Sequence, residues 1–273
     1  MTKALYISDL DGTLLNSQSV VSDYSRTQLR AMIADGLLFS IATARTPATV
    51  VKLMEGIEPT LPLIVMTGAA MWKDGLVERH YIPAEETTTL QRLCAQYGIE
   101  PFLYTYNGHA IDCFHSPHVG EFDRRFIEQR QHSPYKHFRF TDEIPAERQN
   151  STMLMFSAGP YETMELLHRE ISASTRCSLS FYPDIFNPSY GMIEAMAEGT
   201  DKASALRRLA EECGAERIVV FGDSANDLSM KSVADCFIAP ANAADCVKAV
   251  ADEIIGSNDE DSVVRRIAAD FRK

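Results

Sequence analysis

Near its beginning the chain reads Ala4-Leu5-Tyr6-Ile7-Ser8-Asp9-Leu10-Asp11-Gly12-Thr13-Leu14-Leu15. The first four residues form a short apolar run of the kind that makes a buried parallel strand. Two acidic residues at its carboxyl end, followed by a glycine, lie where open α/β sheets bind their ligands. Their spacing sends both carboxylates to one side of an extended chain, where the repulsion requires a cation or a proton on one of them. The stretch therefore predicts a Mg²⁺ site in which one carboxylate is a nucleophile and the other exchanges protons. A turn that caps the next helix is the ordinary alternative, since Asp-Gly is a common turn dipeptide.

The composition bounds the function classes. The chain has 273 residues, 45% of them hydrophobic and 23% charged, as is typical of a globular protein. A net charge of −12 argues against nucleic-acid and anionic-membrane partners, because both need a basic face. No apolar run approaches the ~20 residues of a membrane span, and Met1-Thr2-Lys3 leads straight into the first strand. The six cysteines show no C-x-x-C pair, which favours reduced, mostly buried thiols and a cytoplasmic location.

The pattern of predicted elements divides the chain into a core and an insert. Strands alternate with helices over the first third, and the same alternation resumes after about residue 190, as in a parallel sheet. Between these parts, two extended runs joined at Asn107-Gly108 predict a hairpin in an α+β module with a largely antiparallel sheet. We therefore predict an α/β fold: a doubly wound, mainly parallel Rossmann-like core over residues 1–83 and 190–273, interrupted by an α+β domain over residues 84–189.

Four motifs carry residues suited to phosphoryl transfer, and three of them follow predicted core strands. In chain order they are Asp9/Asp11, Thr43-Ala44-Arg45, Lys202, and Gly222-Asp223-Ser224-Ala225-Asn226-Asp227. The carboxyl ends of such strands converge on one crevice. There the Thr43 hydroxyl, the Ala44 amide and the Lys202 ammonium are suited to phosphate oxygens. Asp9, Asp223 and a main-chain carbonyl, most simply that of Asp11, are suited to Mg²⁺.

Each motif also has an ordinary structural interpretation. Lys202 alone is equally well a solvated surface lysine beside Asp201 or Glu198. A lysine in the first turn of a helix opposes the helix dipole, at a cost of about 0.3–1 kcal/mol unless an anion lies nearby. Thr43 alone is a strand threonine, and Asp223 and Asp227 are ordinary N-caps. The presence of all four motifs in this order favours the functional interpretation.

These motifs resemble the four motifs of the haloacid dehalogenase superfamily, and the size and element order of the insert resemble the type IIB cap of its Cof-type phosphatases. The resemblance spans nearly the whole chain and includes Ala241-Asn242-Ala243 after the last predicted core strand. It implies that the insert selects the substrate.

The resemblance also implies a role for each site residue. Asp9 resembles the nucleophile that forms an aspartyl-phosphate and binds Mg²⁺, and Asp11 resembles the general acid and base. Asp223 resembles the metal carboxylate, with Asp227 supporting the metal or Lys202. The implied phosphate-binding set is Leu10 (through its amide), Thr43, Ala44, Lys202 and Asn226.

Two positions depart from the family pattern. Relatives usually have Thr-Gly-Arg where this chain has Thr43-Ala44-Arg45, and a main-chain amide survives that change. They usually have Asn-Gly-Ala where this chain has Thr67-Gly68-Ala69, so a hydrogen bond near the crevice changes and the transfer of substrate class is weakened.

We therefore expect a Mg²⁺-dependent phosphatase that acts on a small phosphorylated metabolite, first of all a sugar phosphate, as a monomer or weak homo-oligomer. A phosphomutase or phosphotransferase with the same chemistry stays open, because the acceptor is chosen by the insert. A phospho-accepting receiver module is the third alternative, although receivers are about half this length and have no insert.

Other clusters have plainer interpretations. His109, His115, His118 and Cys113 match no ordinary zinc spacing. The aromatic residues of the insert are interpreted as packing residues ahead of substrate-lining ones; they are Tyr104, Tyr106, Phe181, Tyr182 and Phe186.

Overall fold

A computed structural model describes residues 3–145, 148–184 and 187–272. Phe186 therefore lies outside the described residues. The chain divides into two compact units: a core unit, which runs up to Glu78 and resumes at Asp201, and an insert unit, Arg79–Thr200. The insert thus includes residues 79–83 and 190–200, which the sequence-based boundaries assigned to the core. Residues 190–200 fall in the insert because the strand Tyr190–Met196 pairs along its whole length with a neighbouring strand of the insert sheet.

The core unit is built on a five-stranded parallel sheet. The core strands are β1 (Ala4–Ser8), β2 (Leu38–Ile41), β3 (Leu63–Val65), β4 (Ala70–Trp72), β5 (Leu76–Arg79), β12 (Arg217–Phe221), β13 (Cys236–Pro240) and β14 (Glu253–Ile255). The order in the parallel sheet is β14-β13-β12-β1-β2, with every neighbouring pair parallel. The helices are α1 (Asp23–Ala34), α2 (Pro47–Leu53), α6 (Lys202–Cys213), α7 (Asp245–Lys248) and α8 (Ser262–Phe271). This arrangement confirms the predicted α/β class.

Local sequence signals explain where the core helices begin and end. The Ser22 side chain accepts a hydrogen bond from the amide of Ser25 and so caps α1, which buries Leu29, Met32 and Ile33 on one face. Asp201 caps α6 in the same way, and Gly214 ends that helix in the left-handed conformation with φ 63°. These caps place Lys202 at the first position of α6.

Two core elements differ from the sequence-based expectation. The apolar run at residues 62–66 predicts a third parallel strand, but in the structure it makes a single parallel bridge, Ala42 to Ile64, and otherwise pairs antiparallel with β4. The sequence also predicts a helix over residues 225–233, where the structure has a 3-10 helix, Ala225–Ser232. The Asp227 carboxylate accepts hydrogen bonds from the amides of Asp223 and Ser224 and tightens this turn.

The insert unit has its own six-stranded sheet. Its elements are α3 (Ala84–Gln96), β6 (Phe102–Tyr106), β7 (Ile111–His115), α4 (Glu121–Glu128), β8 (Lys136–Phe140), β9 (Thr152–Pro160), α5 (Tyr161–Ser174), β10 (Ser178–Pro183) and β11 (Tyr190–Met196). The sheet order is β10-β11-β9-β6-β7-β8, and all neighbours are antiparallel except the parallel pair β7–β8. The predicted hairpin is present, and Asn107 Oδ1 accepts hydrogen bonds from the amides of His109 and Ala110 in its turn.

Each unit buries its own apolar cluster. In the core unit Leu5, Ile7 and Val220 of the sheet pack with Leu206 and Leu209 of α6. In the insert unit, α3 and α5 cover one face of the sheet; the cluster includes Leu90, Leu93, Leu103, Met155, Met164, Leu167 and Ile193. The insert unit is therefore a layer of sheet covered by helices.

Among the described residues, none of the helices combines the length and apolar character needed to cross a membrane. The six cysteines are free; Cys94 and Cys113 are buried, Cys246 is exposed and the other three are half-buried. Burial of these thiols is thus less general than the sequence suggested.

Candidate active site

The carboxyl ends of β1 and β12 bring two of the predicted motifs together. The register pairs Ser8 with Phe221, and the amide of Asp9 donates a hydrogen bond to the Phe221 carbonyl oxygen at 2.9 Å. The same strand pairs with β2 on its other side, Ser8 opposite Ile41. Asp9, Thr43 and Asp223 therefore follow neighbouring strands at one edge of the sheet.

Lys202 lies between two buried carboxylates. Its Nζ donates to Asp9 Oδ1 and to Asp227 Oδ1, both at 2.7 Å. The three side chains are at most 7% exposed. The solvated surface interpretation of Lys202 is therefore wrong, and the two carboxylates are the anions that a lysine at a helix N-terminus requires.

Burial sets the electrostatics of this cluster. Burial works against the charge of Lys202, but Asp227 and Asp9 outweigh it and raise the pKa of the ammonium. Burial also raises the pKa of Asp9 well above its usual range, with Lys202 acting in the opposite direction. Burial and the nearby Asp227 raise the pKa of Asp223 to about 6.

Asp223 approaches the first motif closely. Its Oδ1 accepts a hydrogen bond from Thr13 Oγ1 at 3.1 Å. Gly12 has φ +73°, and a Cβ at this position would lie 2.3 Å from Asp223 Oδ2. Gly12 is therefore required both for the positive φ of the turn and for the close approach of the Asp223 carboxylate.

These contacts create a cluster of oxygen donors that fits Mg²⁺. One carboxylate oxygen each from Asp9, Asp223 and Asp227 lie within 4.8 Å of one another. Hard divalent cations prefer such oxygen ligands, and a cation would offset both causes of the raised pKa of Asp223, which are burial and then repulsion from Asp227. The cluster differs from the sequence-based ligand set by including Asp227, whose Oδ1 is bonded to Lys202.

The second motif is tied to the segment after β3. The Thr43 amide donates to the Ile64 carbonyl oxygen, and the Thr43 carbonyl oxygen accepts from the Thr67 amide, both at 3.0 Å. Met66 and Thr67 both have positive φ, 53° and 56°, which is uncommon for any residue with a Cβ and most of all for a β-branched one. A Cβ on Gly68 would lie 2.2 Å from the Asp201 carbonyl oxygen, so this segment also contacts the start of α6.

Three further predicted residues lie on the turns around this cluster. Leu10 is buried directly after Asp9, and Ala44 is half-buried after Thr43. Asn226 is half-buried in the 3-10 helix, and its Oδ1 accepts from Ser224 Oγ at 2.7 Å. Their predicted contacts with phosphate stay predictions.

Asp11 differs from Asp9 in its surroundings. Its side chain is 53% exposed. Arg45 holds it with two bonds, Nε to Oδ2 at 2.7 Å and Nη2 to Oδ1 at 2.5 Å. Sequence reasoning gave Arg45 no role, although the residue stands in the second motif.

Asn242 is a second residue whose contacts were not predicted. Its Nδ2 donates to the Gly12 carbonyl oxygen at 2.7 Å, and its Oδ1 accepts from the Asn258 amide at 2.9 Å. It therefore supports the turn that carries Asp11. The only sequence signal was the likeness of Ala241-Asn242-Ala243 to the family pattern.

Comparison with known proteins identifies the family. A model described as haloacid dehalogenase-like hydrolase matches residues 6–267. The chain belongs to this family. The hydrolase is 28% identical over 263 residues to the 5-amino-6-(5-phospho-D-ribitylamino)uracil phosphatase YcsE of Bacillus subtilis (strain 168), covering 95% of this chain and 92% of the relative. It is 25% identical over 276 residues to a second 5-amino-6-(5-phospho-D-ribitylamino)uracil phosphatase of that organism, YitU, covering 94% of this chain and 93% of the relative.

Solved structures show the same fold. A haloacid dehalogenase-like hydrolase from Bacteroides thetaiotaomicron superposes with a TM-score of 0.78 at 23% identity, covering 99% of this chain and all of that one. The subclass IIB sugar phosphatase BT4131 superposes with a TM-score of 0.74 at 22% identity, covering 98% of both chains. Together with the phosphatase relatives, family membership makes this hydrolase a phosphoric monoester hydrolase.

Proposed function

We propose that the protein is a Mg²⁺-dependent phosphatase that hydrolyses a small phosphorylated metabolite through an aspartyl-phosphate on Asp9. The observation that supports this most strongly is the buried Asp9 carboxylate, with one oxygen bonded to Lys202 at 2.7 Å in a cluster of three carboxylates. A buried carboxylate fixed through one oxygen keeps the other available for in-line attack on phosphorus.

The first half of the reaction makes the covalent intermediate. Asp9 Oδ2 attacks phosphorus, the bond from phosphorus to the ester oxygen breaks, and Asp11 gives that oxygen its proton. The Thr43 hydroxyl, whose oxygen already accepts a hydrogen bond from the Arg45 amide at 3.1 Å, keeps its own proton for a phosphoryl oxygen. Lys202 offsets negative charge beside the nucleophile.

The second half regenerates Asp9. Asp11 takes a proton from a water, whose oxygen attacks phosphorus as the bond from phosphorus to Asp9 breaks, and inorganic phosphate leaves. Mg²⁺ held by Asp9, Asp223 and the Asp11 carbonyl, with Asp227 nearby, would supply positive charge for the phosphoryl oxygens.

We propose a phosphorylated sugar or sugar alcohol as the substrate class. The relatives YcsE and YitU are named as phosphatases of a phosphoribitylaminouracil. The chain also shares its fold with a sugar phosphatase, and both observations support this substrate class. The net charge of −12 is consistent with a small substrate drawn by a local positive site rather than by the whole surface.

The proposal is tested by turnover of about eighty phosphorylated metabolites and of p-nitrophenyl phosphate with and without Mg²⁺. We expect release of phosphate that requires Mg²⁺ and is abolished by Asp9→Asn and Asp9→Ala. Asp261→Asn, at an aspartate outside the cluster that accepts a hydrogen bond from Ser25 Oγ, serves as the matched aspartate control. Near-full hydrolysis by Asp9→Ala would defeat the mechanism.

A further inference from the structure

The two aspartates of the first motif are held in very different ways. Asp9 is buried and fixed by Lys202, whereas the Asp11 side chain is 53% exposed. Asp11 has φ −73° and ψ 124°, and Gly12 after it has φ 73°, so neither lies in regular helix. A half-exposed carboxylate on a turn samples several rotamers unless a partner holds it. Proton exchange with a reacting oxygen requires a fixed orientation.

Arg45 supplies that partner with a planar fork. Nε and Nη2 bind the two different oxygens of Asp11 at 2.7 and 2.5 Å, which is the bidentate geometry of a guanidinium with a carboxylate. The two oxygens of the Asp11 carboxyl group have about four lone-pair sites in all, and the fork uses one on each oxygen. In the acid form the proton occupies a remaining site, from which it passes to the ester oxygen. A lysine at this position has the charge but no fork.

The backbone of Arg45 is anchored at both ends. Its amide donates to Thr43 Oγ1 at 3.1 Å, and its carbonyl oxygen accepts from the Met66 amide at 3.0 Å. The guanidinium therefore projects from the loop that carries the proposed phosphate-binding hydroxyl. One loop then sets both the phosphate and the proton-exchanging group.

We propose that Arg45 is a positioning residue: its guanidinium fork holds the Asp11 carboxyl group in the orientation needed to protonate the departing ester oxygen. This inference rests on the proposed function, in which Asp11 is that acid. Arg45 itself does not take part in the transfer of the proton.

The test compares two leaving groups. A nitrophenolate leaves without a proton, whereas the alkoxide of ribose 5-phosphate needs one, and kcat/KM reports the steps up to departure of the leaving group. We expect Arg45→Ala to lower kcat/KM for ribose 5-phosphate about 10²-fold, as a misplaced catalytic group does, and that for p-nitrophenyl phosphate only a few-fold. Arg45→Lys should recover little of the loss, since charge without the fork does not orient the carboxyl group.

The control is Arg266→Ala, which removes another guanidinium bonded to both oxygens of one carboxylate, that of Glu253, at 3.0 and 2.9 Å. We expect no change in kcat/KM there. Equal losses on both substrates with a raised KM would mean that Arg45 binds the phosphate group, and wild-type kinetics of Arg45→Lys would mean that charge alone matters. Either result overturns the inference.

Asp11→Asn separates the two proposals. It should reproduce the leaving-group dependence, with a loss on the order of 10²–10⁴-fold for ribose 5-phosphate, and Arg45→Ala added to it should cause no further loss. Failure of Asp11→Asn to discriminate between the substrates would overturn the acid role in the proposed function. Discrimination by Asp11→Asn alone, with Arg45→Ala like wild type, would overturn only the role of Arg45.

Discussion

Gly12 joins backbone conformation to the chemistry of the site. Its φ of +73° is one that residues with a Cβ rarely adopt, and a Cβ here would meet Asp223 Oδ2 at 2.3 Å. We predict that Gly12→Ala displaces Asp223 and lowers kcat about 10²-fold or more. It should also weaken the binding of Mg²⁺, which is measured by titrating activity with the metal and by calorimetry.

Gly36→Ala is the matched control for this prediction. Gly36 also has a positive φ, +99°, but no described atom lies within 4 Å of a Cβ built there. Both variants should lose about 1 kcal/mol or more of unfolding free energy from backbone strain. Wild-type kcat and Mg²⁺ affinity in Gly12→Ala would show that the close approach to Asp223 has no part in the site.

Sequence reasoning placed the residues that directly follow core strands better than it placed the side-chain contacts between motifs. Asp9 and Asp223 were predictable because each directly follows an apolar strand, and parallel strands end at one edge of a sheet. The bond from Lys202 to both Asp9 and Asp227 and the fork of Arg45 on Asp11 join residues 25 to 193 positions apart. No local pattern encodes those distances, because they depend on the packing of α6 and on the loop after β2.

At the scale of elements, β8 carries a buried lysine into the insert. Lys136 is 2% exposed, and its Nζ donates to the Tyr104 hydroxyl at 3.1 Å. The ammonium lies 4.4–5.0 Å from the ring centroids of Tyr104, Phe126 and Phe138. Burial lowers its pKa to about 8, with Cys113 acting in the opposite direction and Arg130 in the same one.

This environment predicts a pH dependence of stability. Between about pH 8 and 10.5, Lys136 is protonated to a smaller extent in the folded state than in the unfolded state. Burial of its charge therefore lowers the free energy of unfolding in full below pH 8, and this loss of stability disappears as the pH rises through that range. Removal of the buried charge stabilises the folded state, and loss of its contact with the rings offsets part of that gain. We therefore expect Lys136→Met to raise the free energy of unfolding by about 1–3 kcal/mol at pH 7 and by less at pH 9.5. Urea denaturation at both pH values measures this.

The comparison at each pH is with wild type, so other groups that titrate in this range affect both proteins alike. Lys52→Met, at an exposed lysine of α2, is the control and should show no pH-dependent difference. A stability difference for Lys136→Met that is the same at pH 7 and 9.5 would contradict the prediction.

The elements that were not predicted share a physical reason. The strands β8, β11 and β14 show neither clean alternation nor a continuous apolar run; β8 reads Lys-His-Phe-Arg-Phe, and β11 contains Gly191 and Glu194. Edge strands such as β8 and β14 need no apolar pattern on both faces. Helix α5, Tyr161–Ser174, in contrast, has a regular apolar period that predicts a helix near residues 161–174.

At the scale of the whole molecule, the described residues form a hydrophobic cluster in the core unit and another in the insert unit. This division follows from the sequence, since the change from alternating strands and helices to a hairpin-based pattern marks the insert. The boundary near residue 200 could not be placed, because β11 belongs to the insert sheet by pairing with β9 and β10, whereas its own sequence, with Gly191 and Glu194, lacks the pattern of a strand.

Two separate clusters predict two separable unfolding transitions. The single tryptophan, Trp72, is 8% exposed in the core unit, so its fluorescence reports that unit, whereas far-ultraviolet circular dichroism reports both. We expect the two urea transitions to differ in midpoint. Gly36→Ala, in the core unit, should shift the midpoint of the fluorescence transition. Lys136→Met, in the insert unit, should leave that midpoint unchanged and shift only the part of the circular dichroism transition that comes from the insert. Superimposable curves in wild type and in both variants would mean that the units unfold as one, and the assignment of independent stabilities to the core and the insert would then be wrong.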